Sequence, residues 1–260
     1  LGDGYKRQLF SGANLTLARE WTESCSLAGM LSSEGRCKTL DNSADGYVRA
    51  EAALTFALHG EASGEKMIVT KASAVNQDGR SSSLTAPNGP SQQDIIRLVI
   101  QRGVSLPEDV AVLQMHGTGT ALGDPIEVGA ALSVFRSSEH KGAQSFIAMS
   151  SAKSNVGHAE PAAGAVGVLA LCQDLDRFRG ICHLREMNVH VIASLKQHRT
   201  SVFSARQETN VYQGPQRTHH VSSFAFQGTN AHASFTSTGV NEGINWVSGG
   251  TEVRLLDHVY

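Results

Sequence analysis

Three short stretches of this chain combine side chains that can do chemistry. They are His116-Gly117-Thr118-Gly119-Thr120, Lys153-Ser154-Asn155-Val156-Gly157-His158 and Ser223-Phe224-Ala225-Phe226-Gln227-Gly228-Thr229-Asn230. Imidazoles can donate hydrogen bonds or exchange protons near neutral pH, and a lysine close by biases them towards the neutral form. Threonine hydroxyls both donate and accept. Taken singly, each of these residues fits a bland role: His116 a turn or core histidine, Lys153 a surface lysine, Thr118 and Thr120 turn residues satisfying local backbone groups. Their combination in one chain promotes them. Metal chemistry is not indicated, since none of the 11 histidines forms an H-x-x-x-H or H-E-x-x-H pattern. Cys25, Cys37, Cys172 and Cys182 form no C-x-x-C pair. Neither G-x-G-x-x-G nor a phosphate-binding G-x-x-x-x-G-K-[ST] stands at a strand-to-helix turn.

The elements around these stretches read as alternating strands and helices. Asp109 to Met115 is an apolar run of strand length that delivers His116 to a loop. After the loop, Asp124, Pro125 and Glu127 predict a helix start with a capping box, running to about Phe135. The unit repeats, with a strand from Ser145 to Met149, a polar loop from Ser150 to His158, and a helix from Pro161 to about Arg177. The small residues Ala162, Ala163, Gly164, Ala165 and Gly167 in that helix imply close packing. Further candidates are a short strand or turn at Leu9–Leu17, strands at Met67–Ala74 and Val221–Phe226, and a helix capped by Ser91 and stopped by Gly103. Val48 to Leu58 fits strand or helix, Gly35 to Tyr47 reads as a loop, and the tail after Ala233 carries no strong pattern. Alternation of this kind predicts an α/β domain with a largely parallel sheet, whose ligand sites gather beyond the carboxyl ends of the strands.

Composition narrows the class further. With 40% hydrophobic and 18% charged residues, the 260-residue chain is of globular composition, and a net charge of -2 offers no footprint for nucleic acid. The longest apolar stretch, Ala162 to Cys172, is too short to span a bilayer, and the first residues lack a signal-peptide pattern. A reducing, cytoplasmic setting is the expectation, with an organelle as the alternative.

In their order, the three stretches resemble the β-ketoacyl synthases of polyketide and fatty-acid assembly lines. Asp41 to Glu51, Ser73 to Pro90 and Gly123-Asp124-Pro125-Ile126-Glu127 add to the resemblance, which covers roughly residues 9 to 232. It implies a thiolase-like layered α/β fold: residues 1–65 as the end of the N-terminal half, 66–235 as the C-terminal half, and 236–260 as a tail. It implies decarboxylative Claisen condensation, in which an acyl chain held on a cysteine is attacked by a malonyl-type extender. By position, His116 and His158 match the two active-site histidines, neutral donors to the growing enolate, and Lys153 the lysine that supports them. Thr118 and Thr120 match residues that hold the phosphopantetheine arm, and Phe226 the gating phenylalanine whose N–H contributes to an oxyanion hole. Phe224, by contrast, is read as core.

The family usually has glycine where this chain has Ala225 and Gln227, whose Cβ resists positive φ; Ala50 and Ala52 are further changes of this kind. The family's nucleophilic cysteine precedes the segment that reads Ser11-Gly12-Ala13-Asn14 here, so the resemblance places it upstream of residue 1. Cys25 does not match it, and the other three cysteines read as ordinary small apolar residues. Implied partners are an acyl carrier protein, an N-terminal ketosynthase half and, when complete, a second copy in a homodimer; no cofactor or metal is bound directly. The alternative is a non-catalytic ketosynthase-like subunit or scaffold. Glu160 is read as a first-turn helix acid, and His219, His220 and His232 as loop and structural histidines. Half of a layered fold leaves an apolar face uncovered, so the chain alone is expected to fold poorly.

Overall fold

The computed structural model describes residues 7–59, 67–79, 86–136, 147–173, 180–198, 202–203 and 217–238. Among them, β1 (Arg7–Asn14) pairs antiparallel with β2 (Ala52–His59), and the short helix α1 (Arg19–Leu27) follows β1. The region that fits either strand or helix from sequence is therefore a strand from residue 52. The remaining strands form one six-stranded sheet: β3 (Met67–Gln77), β4 (Val110–Gln114), β5 (Ile147–Ser150), β6 (Val202–Phe203), β7 (Thr218–Phe224) and β8 (Thr229–Thr238). Their order is β3-β8-β7-β4-β5-β6, with β7, β4, β5 and β6 mutually parallel and β8 antiparallel to both of its neighbours.

All five residues of β4 and all four of β5 are buried, as suits parallel strands covered on both faces. On one face α2 (Gly89–Gly103), α3 (Gly123–Phe135) and α6 (Val189–Gln197) bring Ile95, Ile96, Leu132 and Leu195 against Leu113 and Met149. On the other, α5 (Ala163–Gln173) brings Leu171 against Val112, Ala148 and Val221. The small residues before and within α5 do allow close approach. A Cβ on Gly167 would stand 3.2 Å from Val221, and one on Gly12 of β1 only 3.1 Å from the Cα of Ala162.

Several boundaries differ from the sequence reading. Asn88, not Ser91, caps α2, its side chain accepting the Ser91 N–H at 3.2 Å, with Pro90 in the first turn. The stretch after Ala233 begins with the second half of β8, which runs to Thr238, and His219, His220 and His232 lie in strands rather than loops. Leu9, Leu15, Leu17, Trp21, Leu27 and Leu58 stand exposed on and around β1, β2 and α1. Residues 1–6, 174–177 and 236–260 of the sequence reading lie wholly or largely outside the described residues.

Candidate active site

Three adjacent parallel strands deliver the chemistry-bearing stretches to one end of the sheet. β7 ends at Phe224, β4 leads to His116, and β5 leads through the four-residue helix α4 (Lys153–Val156) to His158. The two imidazoles meet edge to face with ring centroids 5.4 Å apart, and Phe224 flanks His116 at 5.7 Å. Tyr47 stands edge-on to His158 at 5.0 Å. Each imidazole accepts a main-chain N–H at Nδ1: Phe224 donates to His116 at 3.2 Å and Glu160 to His158 at 3.0 Å. An accepting Nδ1 carries no proton, so in the neutral ring the proton sits on Nε2, which is left free to donate.

Burial, aided by the Lys153 charge, holds both rings neutral, His116 well below the ordinary imidazole range and His158 at about 3. Lys153 is itself buried, which pulls its ammonium down towards neutrality; the facing Glu127, Cys37 and Asp124 oppose that pull.

The loop between His116 and α3 is held from behind by two carboxylates. Glu127 accepts the N–H of His116 at 2.7 Å and of Gly117 at 2.9 Å. Asp124 accepts the N–H of Gly119 at 3.1 Å and of Leu40 at 2.8 Å. The capping-box reading is thus wrong. Leu122 is the residue before α3, and both acids reach out of the helix to fix the loop rather than its first turn. Burial raises both carboxyls, Asp124 to about 6. Gly119 is required here: its φ is +77° and a Cβ would meet the Lys38 nitrogen at 2.5 Å. Exchanging Glu127 for Gln puts an amide NH2 where a second acceptor is needed. Stability should fall by about 1–3 kcal/mol, read as a lower midpoint in denaturant unfolding; an unchanged midpoint would mean that the loop does not depend on this carboxylate.

Thr118 is buried, its hydroxyl 3.4 Å from that of Thr120, which also accepts the Gly123 N–H at 3.2 Å. Phe226 is 44% exposed in the turn joining β7 to β8, away from the ring contact that Phe224 makes. The turn accepts Ala225 and Gln227 because only Gly228 takes a positive φ, at +90°. Phe224, read as core from sequence, is the residue whose backbone orients His116.

Glu160 is also more than a helix acid. Its φ is +42° and its carboxylate pairs with Arg49 at 2.8 Å. Cys25 is buried and receives the Tyr47 hydroxyl at 3.8 Å, so Tyr47 lies between it and His158. Cys37 is buried and accepts the Val48 N–H at 3.4 Å.

His220 and His232 belong to a separate buried chain. Thr218 Oγ1 lies 3.1 Å from His220 Nε2, His220 Nδ1 lies 2.8 Å from His232 Nε2, and Ser222 Oγ lies 3.0 Å from His232 Nδ1. Among the described residues, no helix is long and apolar enough to cross a membrane, and no group of three or more His, Cys, Asp or Glu could hold a metal ion.

Comparison with known proteins converges on one family. Residues 8–62 match the β-ketoacyl synthase N-terminal domain and residues 67–178 the β-ketoacyl synthase C-terminal domain. A phenolphthiocerol/phthiocerol polyketide synthase of Mycobacterium tuberculosis is 38% identical over 231 residues, covering 86% of this chain and 10% of the synthase. Polyketide synthase PksL of Bacillus subtilis is 36% identical over 231 residues, covering 86% of this chain and 5% of its own length. The ketosynthase from module 6 of the bacillaene synthase from Bacillus subtilis 168 superposes with a TM-score of 0.76 at 32% identity, covering 88% of this chain and 42% of its own. The chain thus spans a tenth or less of these two synthases and about two fifths of the solved ketosynthase. A paired-histidine site at the carboxyl ends of β4 and β5, a thiolase-like sheet and matches to both halves of one domain agree: the chain belongs to the β-ketoacyl synthase family, among the ketosynthase domains of polyketide synthases.

Proposed function

We propose that this chain supplies the histidine pair and supporting lysine of a ketosynthase that performs decarboxylative Claisen condensation of an acyl thioester with a malonyl-type thioester. The observation that carries the reading is the pinning of both imidazoles at Nδ1 by main-chain N–H groups, which leaves two Nε2–H donors in one site. As carbon dioxide leaves the extender, the electron pair of the breaking C–C bond moves onto the thioester carbonyl oxygen as an enolate. Donors fixed in advance stabilise that charge more than they stabilise the uncharged carbonyl, and this lowers the barrier. The enolate carbon then attacks the acyl thioester, forming the new C–C bond and expelling the enzyme thiolate.

In this reading Lys153 keeps the rings neutral, Thr118 and Thr120 hold the phosphopantetheine arm of an acyl carrier protein, and Phe226 gates the acyl channel. The acyl-bearing thiol comes from sequence outside these 260 residues, since Cys25 lies behind Tyr47 and Cys37 is buried against Val48. Residues 1–65 complete an N-terminal half and 66–235 form the C-terminal half. The assembled domain works in the cytoplasm as a homodimer.

The test is release of carbon dioxide from a malonyl carrier-protein thioester by this chain combined with an N-terminal ketosynthase half. Release faster than with that half alone is expected; no gain would favour a scaffold. Incubated by itself with a labelled acyl carrier-protein thioester, the chain should retain no covalent label, because histidines without a nucleophile cannot hold an acyl group as a thioester. Stoichiometric labelling of Cys25 would refute the placement of the thiol.

A further inference from the structure

The tautomer of His158 depends on one N–H, that of Glu160, and local sequence opposes the backbone shape that aims it. Glu160 has a φ of +42°, a region that costs a residue with a Cβ, and it precedes Pro161, which pushes its neighbour towards extended geometry. Something outside the segment must hold it there. Arg49 grips its carboxylate with two parallel bonds, Nε to Oε1 at 2.8 Å and Nη2 to Oε2 at 3.1 Å, while Nη1 is tied to Thr22. Both partners are largely buried, with side-chain exposures of 8% and 17%, so the pair is shielded from solvent and geometrically defined. The residues flanking Arg49 hold the backbone of the same histidine: Val48 C=O accepts the His158 N–H at 2.8 Å, and Ala50 N–H donates to the His158 C=O at 2.9 Å.

We propose that Arg49 is a positioning residue which, by clamping Glu160 in its left-handed conformation, keeps the Glu160 N–H on His158 Nδ1 and so fixes His158 as an Nε2–H donor. The inference deepens the condensation reading and rests on it only for its effect on turnover. Releasing the clamp removes what offsets the backbone cost, and the correctly aimed conformer should lose roughly 5- to 30-fold in population relative to its competitors. Lysine at position 49 keeps the charge but not the two-pronged grip, so Arg49→Lys should behave more like Arg49→Ala than like the parent.

The experiment is a long-range 1H–15N correlation spectrum of the domain assembled with an N-terminal ketosynthase half, only the 260-residue chain being labelled with 15N-histidine and His158 being identified by the signal lost in His158→Gln. The parent should show His158 protonated on Nε2 alone. Arg49→Ala and Arg49→Lys should bring in the Nδ1–H form, while His116, oriented by Phe224 instead, keeps its parent pattern. Adding Glu160→Gly to Arg49→Ala should restore the parent tautomer, because glycine takes a positive φ without the clamp.

Parent-like His158 in both Arg49 variants overturns the proposal. So does a change at His116 and His158 alike that glycine does not reverse, which would assign Arg49 to holding the fold. Carbon dioxide release is followed separately in the assembled domain. There the Arg49 variants should be slower in proportion to the Nε2–H fraction that the spectrum reads, by about 1.2- to 3-fold for a parent ratio of about 20 to 1, with an unchanged KM. A shifted tautomer without slower release would count against the condensation reading and still support the role of Arg49.

Discussion

His116→Ala and His158→Ala should each slow carbon dioxide release from a malonyl carrier-protein thioester by roughly 100- to 1000-fold, the usual cost of removing one donor from an oxyanion-type site. The expectation follows from how the rings are held. With Nδ1 occupied by a main-chain N–H, each ring has a single proton to offer, on Nε2, and alanine removes it entirely. Charge on the extender oxygen appears only as the C–C bond breaks, so the loss should fall on kcat rather than on binding of the carrier thioester.

Loading of the acyl chain onto the thiol builds charge elsewhere and should suffer much less. Lys153→Ala should affect the same step as the histidines, since its charge bears on both rings and not on a thioester. Each variant is compared at matched unfolding midpoints, because the rings also pack on each other and on Phe224 and Tyr47. Decarboxylation at the parental rate in both alanine variants would refute the assigned roles.

Acid should unfold this protein steeply. Burial pushes down the five most deeply buried imidazoles, those of His116, His158, His219, His220 and His232, with His158 and His232 at about 3 and His219 at about 4. In the unfolded chain each takes a proton near pH 6.5, so below that pH the unfolded state binds more protons and stability falls as pH falls.

Asp124, raised to about 6, and Glu127, also raised, act the other way. Their folded carboxyls bind protons in a range where the unfolded ones do not. Five histidines against two carboxyls leave about three protons in favour of the unfolded state near pH 5.5, a slope of about 4 kcal/mol per pH unit. Against a total stability of about 5–15 kcal/mol, that brings the transition to between roughly pH 5 and roughly pH 3. Denaturant midpoints measured by circular dichroism at pH 7, 6 and 5 check it; midpoints that stay level over that range would show that these rings titrate normally.

The histidines and Lys153 were legible in the sequence because each sits in a compact motif just past an apolar strand, and parallel strands bring such motifs to one edge. Asp124 and Glu127 misled for a physical reason. Acids three apart at a helix start have the spacing of a capping box, but the same spacing aligns two carboxylates on one helix face, here turned to the preceding loop. What betrayed them was their burial partners, a pair of acids in an otherwise apolar helix directly after a glycine-rich loop. Phe224 misled because its contribution is a backbone N–H, which no side-chain pattern records. The Arg49–Glu160 pair joins residues 111 apart, and only the folded chain brings them together. Helix α1 and the outer half of β8 went unread because their apolar positions are few and interleaved with small polar residues.

The place of β8 in the sheet also sets a clock for synthesis. It lies between β3 and β7, and its pairing with β3 joins Gln77 to Thr229 and Met67 to Thr238. These partners are about 150 to 170 residues apart, so at roughly 5–20 residues per second β3 waits about ten to thirty seconds on the ribosome before its partner is made. During that interval β3 has an open hydrogen-bonding edge in a growing chain, and a nascent polypeptide stalled before residue 229 would expose it for as long as the stall lasts. Chaperone dependence in the cell should therefore follow translation speed between the codons of β3 and those of β8 more closely than it follows the stability of the finished fold.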